Sequence, residues 1–129
     1  MSLNATPELV ARAQNRTMTP DEFHAAVSSS LPKAWAIMEF HASELAMGLK
    51  VSEHAPQSMD DETRGQLLRL VASSAMRRTV QERFGFVLEF QNCHKTAAFV
   101  PEMVGSRAWL DFTSPEAQIL NQAPELRDC

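Results

Sequence analysis

The sequence predicts an α+β domain in which helices dominate: about five helices of unequal length and a small antiparallel β-hairpin near residues 86–100. Three observations predict it. A hydroxyl–proline–acid start occurs three times, at Thr6-Pro7-Glu8, Thr19-Pro20-Asp21 and Ser114-Pro115-Glu116. Up to Gly85 the apolar residues recur at helical spacing. After Gly85 the pattern changes to alternation, with Phe86, Leu88 and Phe90 set against Val87 and Glu89, which suits a half-buried strand.

The start signature has a mechanism. The hydroxyl accepts from a free backbone N–H, and proline fits the first helical position because its own N–H is missing. The acid then meets the positive end of the helix dipole. The first helix is expected over residues 7–15. The second, over 20–30, opens with a capping box, since Glu22 follows Thr19 by three. Pro32 restarts the chain into a third helix that ends near Gly48. On it Trp35, Met38, Ala42, Leu45 and Leu49 line one face, whereas Phe40 and Met47 point nearly the opposite way. A helix that is apolar on two sides is central in its fold or shared with a partner.

Residues 50–59 read as a loop. Ser58 is the expected cap of a fourth helix that runs to about residue 83, with Leu67, Leu68, Val71 and Ala75 as its buried stripe. The hairpin follows, with QNCHK, residues 91–95, as its connection. A third short strand is expected around 108–112, and a fifth helix over 115–122, stopped by Pro124.

The 129 residues suit one domain spanning 1–129, with 1–6 and 124–129 expected to be flexible. Apolar residues make up 44% and charged residues 22%, an ordinary globular balance. A net charge of −4 makes nucleic acid an unlikely partner, because phosphate binding shows as a basic excess. No run of about 18 apolar residues suggests a membrane span, and the N-terminus lacks the basic-then-apolar pattern of a secretory signal. A cytoplasmic protein is the expectation, with Cys93 and Cys129 as free thiols.

Motifs for phosphate, nucleotide or acyl-transfer chemistry (GxGxxG, GxxxxGK[ST], GxSxG) are missing from the sequence. Two candidate chemistries remain. Cys93 and His94 invite a nucleophile and a base. Neighbours in a strand face opposite ways, however, and in a helix they diverge by about 100°. Cys93 therefore needs a distant base, His41 or His54. A metal site is the other candidate, with His41, Glu44, His54 and His94 as ligands, because His41 and Glu44 are one helical turn apart. HExxH and CxxC are absent.

Two functions follow. The first is a non-enzymatic domain that binds a small molecule or a protein partner, acting as a homodimer through the two-sided helix. It rests on Phe40, Met47 and a high methionine count, methionine being adaptable at binding surfaces. The alternative is a small metal- or thiol-dependent enzyme whose site gathers His41, Glu44, Cys93 and His94. The sequence names no cofactor.

Overall fold

A computed structural model describes residues 3–56, 58–92 and 94–120. The three start signatures open helices where expected: α1 (Pro7–Gln14), α2 (Pro20–Ser30) and the short helix Pro115–Leu120. Thr6 accepts from Leu9 N–H, and Thr19 and Glu22 form the reciprocal capping box. Ser114 accepts from the Ala117 N–H at 3.1 Å. The third helix, α3 (Pro32–Ala46), ends just before Gly48.

Strand β1 (Val51–His54) occupies what reads in the sequence as a loop. Its inward residues, Ser52 and His54, are polar, so apolar alternation could not reveal it. The hairpin is present as β2 (Val87–Gln91) and β3 (Lys95–Phe99), and β1 adds to it in the order β1-β3-β2, antiparallel throughout. The register places Ser52 opposite Ala98 and His54 opposite Thr96. On the other side of β3, Leu88 faces Ala98 and Phe90 faces Thr96.

The expected long fourth helix is two: α4 (Asp61–Val71) and α5 (Ser74–Phe84). Asp60, not Ser58, caps α4 by accepting from Thr63 N–H at 2.9 Å. Ser73 leaves the helical region (φ −111°, ψ 142°) and its hydroxyl caps Met76 N–H. Serine competes locally for backbone hydrogen bonds and favours helix starts. The break redirects α5, so Met76 and Val80 reach the core and Ala75 does not. On α4 the buried stripe is Gln66, Leu67, Leu70 and Val71, with Leu68 turned out. The expected strand at 108–112 is a helix, α6 (Arg107–Phe112), capped by Ser106. With Pro115–Leu120 as α7, the described residues form seven α-helices and a three-stranded sheet, a predominantly helical α+β fold.

Side-chain alternation gives the sheet two covered faces. Leu88 and Ala98 pack with Val27, Leu31, Ala34, Met38, Leu67 and Val80 of the long helices. Ala97 and Phe99 on the opposite face pack with Phe112, Val51, Val87 and Trp109. On α3 the buried stripe is Ala34, Ile37, Met38 and His41. It is turned from the face expected from the sequence, and Leu49 is exposed.

Gly85 ends α5 in the left-handed region at φ 73°, and a side chain there would meet no neighbour. The cost of a substitution is therefore conformational. Gly85→Ala is expected to lower the unfolding free energy by about 1 kcal/mol, measured by urea denaturation. An unchanged midpoint would refute this account of the cap.

Candidate functional site

The site grows from one residue. His41 lies on the sheet-facing stripe of α3 and has no solvent exposure. An imidazole so placed must satisfy two ring nitrogens without water, and an unmade bond costs about 1–3 kcal/mol. Two strands supply the partners. Ser52 Oγ of β1 lies 2.8 Å from His41 Nδ1, and Thr96 Oγ1 of β3 lies 2.8 Å from Nε2. Ser52 in turn donates to Glu44 Oε1 at 2.8 Å.

The chain of bonds has a direction. A carboxylate only accepts, so the Ser52 hydroxyl proton goes to Glu44. The Ser52 oxygen must then accept from His41 Nδ1–H. That leaves Nε2 as the bare nitrogen, which accepts from the Thr96 hydroxyl. The tautomer follows from this network, each member of which is satisfied. Burial holds His41 well below the usual imidazole range, at about 4, and the neighbouring His54 pushes the same way. His41 is therefore neutral at pH 7, as the directed chain requires.

Two more histidines stand at this end of the sheet. The His54 ring lies edge-on to His41 at 6.4 Å and to Phe40 at 5.6 Å, measured between centroids. Its pKa is lowered by burial first and by His94 second. His54 Nδ1 is buried without a hydrogen-bond partner among the described residues. The ring also reaches a surface pocket of about 370 Å³ between α3, the segment after β1 and the start of α4, lined by Lys33, Ile37, Met59 and Thr63 among others. His94 is buried in the hairpin turn and donates Nδ1–H to the Asn92 carbonyl at 2.6 Å. Asn92 takes the left-handed conformation, φ 56°, that such a turn requires.

Of the residues expected to gather, His41, Glu44, His54 and His94 lie in one region without forming one contact set. Glu44 reaches His41 only through Ser52, and His94 bonds the backbone of its own turn. Cys93 and Cys129 lie outside the described residues. Among the described residues, no group of three His, Cys, Asp or Glu side chains is placed to hold a metal ion. Sequence reasoning missed Ser52 and Thr96, the two partners that fix His41. For Thr96 the only signal was its place in the expected hairpin strand; Ser52 lies in a stretch that reads as a loop and carries none.

Compared with known families, residues 1–129 match the one described as NucS shadow ORF. No curated protein and no solved structure matches the chain.

The buried imidazole makes stability depend on pH. The unfolded chain takes up this proton near the ordinary value of 6.5, and the folded protein only near 4. The contribution is therefore complete above pH 6.5 and is lost as pH falls toward 4. The loss amounts to about 3 kcal/mol and grows no further at lower pH. Urea unfolding between pH 7 and 4 should show this slope, and His41→Gln should flatten it. A variant with the parent's slope would rule out His41 as its source.

Proposed function

The chain belongs to the NucS shadow ORF family, a description that names a reading frame and no activity, and from that premise we propose that it works by binding and not by catalysis, as a cytoplasmic homodimer. The observation that carries the reading is a contrast between core and surface. The reactive-looking chain at His41 is closed to solvent at Ser52, His41 and Thr96, so a substrate finds no exposed nucleophile or base there. The outer face of α3, in contrast, presents Phe40 at 40% exposure, Met47 at 75% and, just past the helix, Leu49 at 46%.

Phe40 and Met47 are seven residues apart, about two helical turns, and so share one face. A second copy meeting this face would cover it with an identical face about a twofold axis, the commonest arrangement of homo-oligomers. Methionine and an aromatic ring are residue types enriched at such surfaces. No helix among the described residues is long and apolar enough to cross a membrane.

The packing weighs against the alternative, an enzyme gathering His41, Glu44, Cys93 and His94, because His41 already spends both nitrogens on hydroxyls. The sequence offers no nucleic-acid clamp of the KH type. KH modules grip four backbone nucleotides with a GxxG loop. The glycines here, at 48, 65, 85 and 105, include no pair three apart, and the step between α4 and α5 is Ala72-Ser73. The sequence thus lacks that clamp, and the binding proposed here is to protein.

Light scattering at micromolar concentration is expected to give the mass of two 14.4 kDa chains. Phe40→Glu with Met47→Glu should reduce it to one chain and leave the circular dichroism unchanged. A parent protein that runs as one chain across the concentration range would overturn the homodimer.

A further inference from the structure

The two edges of the sheet differ. The Lys50 carbonyl accepts from Val100 N–H at 3.0 Å, so these residues are a hydrogen-bonded pair. In an antiparallel ladder such pairs alternate with pairs whose N–H and C=O groups point away from each other. The next hydrogen-bonded pairs in the register are therefore Ser52 with Ala98 and His54 with Thr96. Val51 and Glu53 turn their backbone groups out of the sheet. The same parity puts the backbone groups of Leu88 and Phe90 at the β2 edge, and there Gln81 accepts the Leu88 N–H. No group among the described residues does this for Val51 or Glu53.

We propose that the edge of β1 pairs antiparallel with β1 of a second copy, so that the two sheets become one. The inference rests on the homodimer reading and names its central contact. Unpaired strand edges take an extended partner, and this edge matches itself. A twofold axis through Ser52 sets Val51 opposite Glu53 of the copy and Glu53 opposite Val51, and each pair exchanges both of its N–H···O bonds. A shift of the register one way sets Glu53 against Glu53, like charges that oppose pairing. A shift the other way carries Glu53 past the start of the copy's strand at Val51. The helices fit the same axis. His41 bonds Ser52 of β1 and Thr96 of β3, so α3 runs above the space between these strands. Paired β1 strands then hold the two α3 helices two strand spacings apart, about 9.6 Å, within the ~8–10 Å at which helices pack. Apolar side chains stand where that seam forms. Glu44 and Phe40 meet Ser52 and His54 of β1, so this flank of α3 lies on the side of the open edge, and the exposed Phe40 and Met47 project from it.

Amide hydrogen exchange read residue by residue, together with light scattering, tests the pairing. In the parent at a concentration that gives the mass of two chains, the Val51 and Glu53 amides should exchange at least ~tenfold more slowly than in the variant Phe40→Glu with Met47→Glu. Glu53→Pro removes one outward N–H at an edge position, where proline is tolerated. It should raise the dimer's dissociation constant at least ~tenfold and keep the parent's circular dichroism. The exchange measurement on the parent decides the matter even if Glu53→Pro does not fold. A parent of two-chain mass whose Val51 and Glu53 amides exchange as fast as in the variant overturns the strand pairing and leaves the homodimer to Phe40 and Met47. A folded Glu53→Pro protein with the parent's dissociation constant does the same. Slow exchange at these amides in a protein of single-chain mass also overturns it, because the edge is then covered within the chain. Single-chain mass with fast exchange at every concentration overturns the pairing and the homodimer together.

Discussion

A histidine that is wholly buried has to be answered from two directions at once, and that requirement organises this fold. His41 joins α3 to β1 and β3, elements that lie 11 and 55 residues away along the chain. Its partners are side chains, and strand side chains alternate faces. Slipping β1 by one residue would turn Ser52 away from α3 and bring Glu53 inward. The same slip in β3 would exchange Thr96 for Lys95 or Ala97. The register that pairs His54 with Thr96 and Ser52 with Ala98 is therefore the one that satisfies the imidazole. The apolar residues alone specify it less sharply, because Ala97, Ala98 and Phe99 are all fully buried and either face of β3 accepts a core.

The rest of the architecture serves the same sheet. The Ser73 break folds α5 back, so that Val80 packs in the core and Gln81 reaches the β2 edge, where its Oε1 accepts the Leu88 N–H at 3.0 Å. A strand edge with free N–H groups invites pairing with another chain, and this bond occupies one of them. On the far face, Trp109 donates its indole N–H to Glu89, and Gln91 donates to the Phe112 carbonyl. Helix α6 is tied to β2 at two points as well as packed on it.

What was legible in the sequence followed from local chemistry. Thr6, Thr19 and Ser114 act within three residues of themselves, and their helices start where expected. The hairpin was legible because Phe86, Leu88 and Phe90 are apolar and alternate. The failures share a cause. In β1 the inward positions hold serine and histidine, whose burial makes sense only once His41 is known to face them. The α4–α5 break contains neither glycine nor proline, and it is decided by Ser73 capping where α5 can fold onto α2 and β2. Residues 108–112 are as apolar as a strand, but the Ser106 cap and the packing of Trp109 and Phe112 make them helical. The site was half legible for the same reason. His41 and Glu44 are local neighbours on a helix, whereas Ser52 and Thr96 meet them only through the tertiary fold.

Glu44 connects this interior to the proposed interface. It lies between Phe40 and Met47 along α3, half-buried, at the outer end of the chain of bonds that begins at Thr96. A second copy seated on Phe40 and Met47 would take water from around that carboxylate, and a buried charge is costly unless it is hydrogen-bonded. The Ser52 hydroxyl already supplies one bond. The loss of water would strengthen that bond, because hydrogen bonds to charged groups gain most in a low dielectric. Stronger acceptance by Glu44 polarises Ser52, and with it the His41 tautomer that the whole chain selects. In such a dimer the interface and the core would be coupled through one carboxylate. In the proposed dimer, covering the outer face of α3 would favour the same directed arrangement that holds β1 and β3 in register.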